Sequence, residues 1–110
     1  MYRIIGNDIE LTRGDSLVLL LRFGGRALAQ GTQAVFTVKR RPRDEQPVLC
    51  KRFGVEDGRV TLQLVPSETD LDPRSYVWDV RLLIPQGEAT EVRTPMEYAG
   101  FTIMEVIGDV

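Results

Sequence analysis

Polar and apolar residues alternate with a period of two along most of the chain, most regularly between residues 60 and 84. Val60, Leu62 and Leu64 fall on one face of an extended ribbon, Pro66-Ser67-Glu68-Thr69-Asp70-Leu71 interrupts it, and Tyr76, Trp78, Val80, Leu82 and Ile84 build a second apolar face. Upstream, Ile9 and Leu11 alternate with Asp8, Glu10 and Thr12; Arg13-Gly14-Asp15-Ser16 breaks the run before Leu17-Val18-Leu19-Leu20-Leu21-Arg22-Phe23, which Gly24-Gly25 closes. Ala34, Phe36 and Val38 predict a further strand, and the proline-bracketed, charged run 40–47 predicts a loop. Short strands are expected at 48–53 and, after the Asp57-Gly58 turn, at 59–65. One turn of helix fits 66–71, with Leu71 pinning it to the core. Residues 75–84 form the longest strand, Pro85-Gln86-Gly87-Glu88 its hairpin turn, 89–94 the return strand and 101–107 the last run.

Seven or eight short strands, turn signals between them and no helical periodicity predict an all-β chain folded as a single domain over 1–110, an antiparallel β-sandwich in preference to a small barrel. One segment exceeds what a sandwich with solvated outer faces needs. In residues 17–21 both faces of the ribbon are apolar, so Val18 and Leu20 require cover. If Phe36, Trp78 and Leu82 point inward, then Val35, Val77 and Leu83 point outward, and with Val18 and Leu20 they form the candidate partner surface. Cover by the N-terminal segment or the C-terminal run is the alternative to a partner. Met104, Val106 and Ile107 add apolar surface near the chain end and favour self-association.

Composition removes more functions than it suggests. A net charge of −2 gives no field that would draw in nucleic acid or an anionic membrane. The single cysteine, Cys50, cannot form an intramolecular disulfide and is read as a small buried hydrophobe, in keeping with a reducing compartment. The opening residues hold no signal-peptide core, and no apolar run approaches the ~20 residues of a membrane span. Without histidine, the commonest general base, the usual zinc sets and every Ser-His or Cys-His nucleophile are missing. Glu68, Asp70, Asp72 and Asp79 leave carboxylate chemistry formally open, but they read as a solvated loop and strand face. As calcium ligands, Glu68, Asp70 and Asp72 lack the glycine and distal glutamate of an EF-hand loop. The basic residues Lys39, Arg40, Arg41, Arg43, Lys51 and Arg52 read as a solvated hairpin tip, and Arg13-Gly14-Asp15, although it spells an adhesion tripeptide, as a turn or bulge. No catalytic, cofactor or metal-binding residue is assigned.

Four segments in order cover most of the chain: the strand leading into Arg13-Gly14-Asp15, Ala34-Val35-Phe36-Thr37-Val38-Lys39, Pro66-Ser67-Glu68-Thr69, and Tyr76-Val77-Trp78-Asp79-Val80. This succession resembles the N-terminal, immunoglobulin-like domain of phage baseplate upper proteins and related short proteins encoded in phage tail gene clusters. The resemblance implies an immunoglobulin-like sandwich and a non-enzymatic structural role as an assembly adaptor. It implies phage tail or baseplate proteins, or further copies of the chain, as partners, and the cytoplasm of a bacterial host during assembly, or the virion, as location. The long baseplate proteins carry a receptor-binding region after this domain that the 110 residues do not include, so host attachment is not expected from the resemblance. Two other readings stand beside it. A carbohydrate-binding or adhesion sandwich requires Tyr2 or Tyr98 on the surface, and a carboxylate enzyme requires facing acids with raised pKa values.

Overall fold

The structure, a computed structural model, describes residues 1–24 and 27–108; Gly25, half of the glycine pair expected to close the strand at 17–23, lies outside the described residues. Among the described residues there are nine strands and no helix: β1 (Tyr2–Ile5), β2 (Asp8–Thr12), β3 (Leu17–Arg22), β4 (Gln33–Lys39), β5 (Leu49–Gly54), β6 (Arg59–Leu64), β7 (Arg74–Gln86), β8 (Ala89–Arg93) and β9 (Ala99–Met104). They form a seven-stranded sheet in the order β1-β2-β9-β7-β4-β5, with β8 paired to β7 as well, and a two-stranded sheet of β3 and β6.

The two sheets share one core, built from the positions that the alternation selects. Ile9, Leu11, Ala34, Phe36, Val38, Tyr76, Trp78, Val80, Leu82, Ile84, Phe101 and Ile103 come from the large sheet; Leu17, Leu19, Val60, Leu62 and Leu64 come from the small one. Phe36 sits at the centre, its ring 5.5 Å from that of Trp78 and 6.2 Å from that of Phe101 in tilted and edge-on arrangements. Buried polar groups are satisfied: the Trp78 indole N–H donates to the Asn7 carbonyl at 2.9 Å, and the Tyr76 hydroxyl donates to the Asp72 carbonyl at 2.7 Å.

Turn chemistry explains the hairpins. Asp57 and Gly58 both adopt positive φ, 52° and 68°, between the doubly bonded pair Glu56 and Arg59, which is the backbone a type I′ turn demands. In the β7–β8 turn, glycine takes the first central position, where Gly87 has φ of 62°.

Four expectations are corrected. The large sheet is mixed, because β9 inserts between β7 and β2 and runs parallel to β2, with Ile9 opposite Phe101 and Leu11 opposite Ile103. The strand count is nine, since residues 2–5 pair with β2 as an extra edge strand. Residues 66–69 make a hydrogen-bonded turn without becoming a helix, although Leu71 does pack on the core. Cys50 is exposed, because it lies opposite Thr37 on the outward face of β5 while Leu49, Lys51 and Phe53 turn inward.

Candidate functional site

The relative position of the two sheets follows from two long side chains. Tyr2 of β1 donates its hydroxyl to the Val18 carbonyl of β3 at 3.1 Å, and Lys51 of β5 donates to the Gln63 carbonyl of β6 at 2.8 Å. So β3 lies toward the β1 end of the large sheet, and β6 lies toward the β5 end. A two-stranded layer faces a much wider one, and the two flanks of the molecule are finished differently.

On the β6 flank, an ion pair meets one end of the free edge. The Lys51 ammonium, which donates to the Gln63 carbonyl, also contacts the Glu68 carboxylate at 2.8 Å, and that carboxylate accepts the Val65 N–H at 2.9 Å. Hydrogen bonding to Lys51, aided by the Val65 N–H, holds the Glu68 pKa below the usual carboxylate range despite partial desolvation. This is the opposite of the raised acid that a carboxylate enzyme requires. The Gln63 carbonyl, on the outward edge of β6, and the Val65 N–H just beyond the strand are thus met by charged groups, while the Thr61 amide and carbonyl share the outward direction of Gln63.

On the β3 flank the edge is met at one point, where the Val18 carbonyl accepts the Tyr2 hydroxyl. Phe23 N–H bonds the Gly58 carbonyl in the β3–β6 register, so the residues of like parity, Leu17, Leu19 and Leu21, direct their backbone groups at β6. The amides and carbonyls of Val18 and Leu20 consequently point away from β6, and among the described residues no strand pairs with that side. Their side chains are 48% and 52% exposed. Beside them, Tyr2 and Ile4 stand opposite Leu11 and Ile9 and so share the inward face of the large sheet, yet they are 41% and 44% exposed. The cause is geometric: β1 lies toward the free side of the narrow sheet, and among the described residues no strand lies above it.

The five residues expected to form one partner surface do not meet. Val18 and Leu20 lie on the outer face of the small sheet, whereas Val35, Val77 and Leu83 are half-buried on the outer face of the large sheet, on the opposite side of the core. Even there they are separated, because Val35 lies opposite Arg81, and Asp79 and Arg81 alternate between Val77 and Leu83 along β7. Tyr2 and Ile4, which join Val18 and Leu20 on the flank, were not among the predicted residues. The signal available for them was the short apolar pair in the run before Gly6-Asn7, a turn dipeptide.

The Arg13-Gly14-Asp15 turn is tied into the fold. Arg13 bonds Asp70 at 2.8 Å, the Asp15 carboxylate pairs with the N-terminal amine, and the Asp15 carbonyl accepts the hydroxyl of fully buried Thr69 at 2.7 Å. A concavity lies on the outer face of the large sheet. It is a groove of about 370 Å³ where the segment carrying Thr94 and Tyr98 passes β7. Lys39, Asp79, Arg81 and Thr37 line it, Arg81 donates to the Thr94 hydroxyl at 3.2 Å, and Tyr98 is 59% exposed.

No protein-family model matches the chain, and no curated protein matches it.

Proposed function

We propose that this chain is a non-enzymatic assembly module of immunoglobulin-like type, serving in a phage or prophage tail or baseplate by docking other proteins on its β1–β3 flank. The observation that carries the reading is the co-location of an unpaired strand edge with exposed Tyr2, Ile4, Val18 and Leu20. The immunoglobulin-like assignment draws support from strand order. Neighbours β9, β7 and β4 correspond to strands G, F and C, with β5 beside them as in variable-type domains, and β3 and β6 correspond to B and E. Tyr76 also behaves as a tyrosine corner, near the start of the F-equivalent strand, with its hydroxyl bonded to a carbonyl four residues upstream. Trp78, two residues later, occupies the position of the second core cysteine of that fold. Tail membership draws on the order of the four sequence segments.

Co-expression with the products of the neighbouring genes tests the reading. A tail component co-purifies with the wild-type chain and is lost with the Val18→Lys/Leu20→Lys variant, whose own fold tolerates charge on an exposed edge. A chain that stays monomeric at high concentration, binds no neighbour and comes from a locus without phage genes contradicts it.

Exposed Tyr98 favours one second reading. Its ring lines the groove with Lys39, Asp79 and Arg81, an aromatic face beside polar groups of both signs, as a carbohydrate-binding module requires. Glycan-array binding that disappears in Tyr98→Ala would establish this reading in place of the first.

A further inference from the structure

We infer that the groove beside Tyr98 takes a carboxylated, uronate-type saccharide, an inference that rests on the carbohydrate reading of that groove and names its ligand class. The groove is built by a change of register in the chain opposite β7. Leu82 stands opposite Arg93 and Trp78 opposite Ala99, so residues 79–81 face the longer stretch 94–98. The extra residues carry this stretch out of the ladder as a bulge, and Met96 at its centre packs against the core and anchors it. Thr94 and Tyr98, at its two ends, are left exposed and wall the groove above the outer face of the large sheet.

The floor is the outward face of β4 and β7. Thr37 lies opposite Asp79, with Lys39 opposite Val77 on one side of that pair and Arg81 opposite Val35 on the other. The backbones of Lys39 and Arg81 are thus offset by roughly 13 Å along the strands. Opposite charges elsewhere on the surface pair with each other, as Arg3 does with Glu10, Lys51 with Glu68 and Arg93 with Glu91. In the groove they do not. Among the described residues, neither the Lys39 ammonium nor the Asp79 carboxylate has an ion-pair partner, and Arg81 contacts the Thr94 hydroxyl through its Nε alone.

These groups define the chemistry of the ligand. The Tyr98 ring offers an aromatic surface to the apolar face of a sugar ring, Asp79 accepts from its hydroxyls, and Thr37 and Thr94 both donate and accept. Two cations then stand beside one carboxylate, and that excess selects an acidic sugar over a neutral one. Lys39 presents a point charge to a carboxylate, and the Arg81 guanidinium a planar fork. The surrounding field has the same sign: Arg40, Arg41 and Arg43 follow Lys39 and Arg52 stands opposite Val35, outnumbering Asp44 and Glu45 of the 40–47 loop and Glu97 beside Tyr98. At about 370 Å³ the groove is near the small end of ligand sites, which suits a short saccharide and not a folded partner.

The test is an array of uronate-terminated saccharides, their carboxyl-reduced neutral counterparts and a tetraglutamate peptide as charge control, probed with the whole protein and followed by titration. The expected result is binding of uronate saccharides, binding of the reduced forms weaker by about tenfold or more, and none of the peptide. Lys39→Met and Arg81→Met each weaken uronate binding several-fold, and Tyr98→Ala abolishes it. Equal or preferred binding of the neutral forms, lost in Tyr98→Ala, overturns the acidic class and leaves the carbohydrate reading standing. Tetraglutamate bound as tightly as the uronates overturns a saccharide ligand, and so does uronate binding that survives Tyr98→Ala. Absence of binding to every saccharide overturns the inference and the carbohydrate reading together. Lys39, Arg81 and Tyr98 all lie outside the core; should a variant still fail to fold, the uronate and its reduced form on the unaltered protein decide the class.

Discussion

At the scale of single residues, two hydrogen-bonding side chains stabilise the ends of the core, and each makes a pH-dependent prediction. Tyr76 donates to the Asp72 carbonyl from a buried position, and burial raises its pKa, with the Asp72 charge adding to the effect. The folded state therefore holds the phenolic proton more tightly than the unfolded chain does. Stability from this group is fully present at neutral pH and is lost as pH rises above the usual tyrosine range, about 10. Tyr76→Phe should cost about 1–2 kcal/mol at pH 7 in denaturant unfolding and flatten the loss of stability at alkaline pH. Lys51 and Glu68 give the opposite sign. The Glu68 pKa is depressed by the Lys51 hydrogen bond, so its contribution is present above the usual carboxylate range and is lost as pH falls through it. Lys51→Met leaves the Gln63 carbonyl and the Glu68 carboxylate without their ammonium partner. It should cost about 1–2 kcal/mol at pH 7 and less near pH 3, as thermal melts at the two pH values would register.

At the scale of elements, alternation fixes which face of a strand turns inward but carries no information about which strand lies beside it. That is why the core positions of β4, β6 and β7 were legible in the sequence, whereas the parallel β2–β9 pairing was not: its partners lie at opposite ends of the chain. The same limit scattered the predicted partner surface. Val18 and Val35 both point outward, but from different sheets, so correct facing did not make them neighbours. In β5 the facing itself runs against polarity. Lys51 occupies an inward position that polarity alone assigns to solvent, and the one-residue slip placed Cys50 in the core. β1 is not legible in the sequence, because its inward residues have no opposing layer to make their burial complete. Turn chemistry was the most readable feature, and it carries a prediction at this scale. In Gly58→Ala a Cβ would stand 3.2 Å from the Phe23 carbonyl at a φ of +68°. The substitution should cost about 1–2 kcal/mol and raise amide exchange at both ends of the β6 hairpin, which NMR can follow.

At the scale of the whole molecule, the consequential feature is the mismatch between a wide sheet and a two-stranded one. On the β6 side an ion pair lies beside the edge, and on the β3 side exposed Tyr2, Ile4, Val18 and Leu20 lie beside it. The groove beside Tyr98 lies on the far side of the core, so docking and glycan recognition would engage different faces of the molecule. Two tyrosines mark these faces, which allows a direct comparison. Hydroxyl-radical footprinting of the chain alone and bound to a co-purifying partner, read by mass spectrometry, measures the reactivity of Tyr2 and Tyr98 in one experiment. Docking on the β1–β3 flank predicts that labelling of Tyr2 falls several-fold on assembly, together with that of Val18 and Leu20, while Tyr98 is unchanged. Protection of Tyr98 with Tyr2, Val18 and Leu20 left as reactive as in the free chain would contradict it.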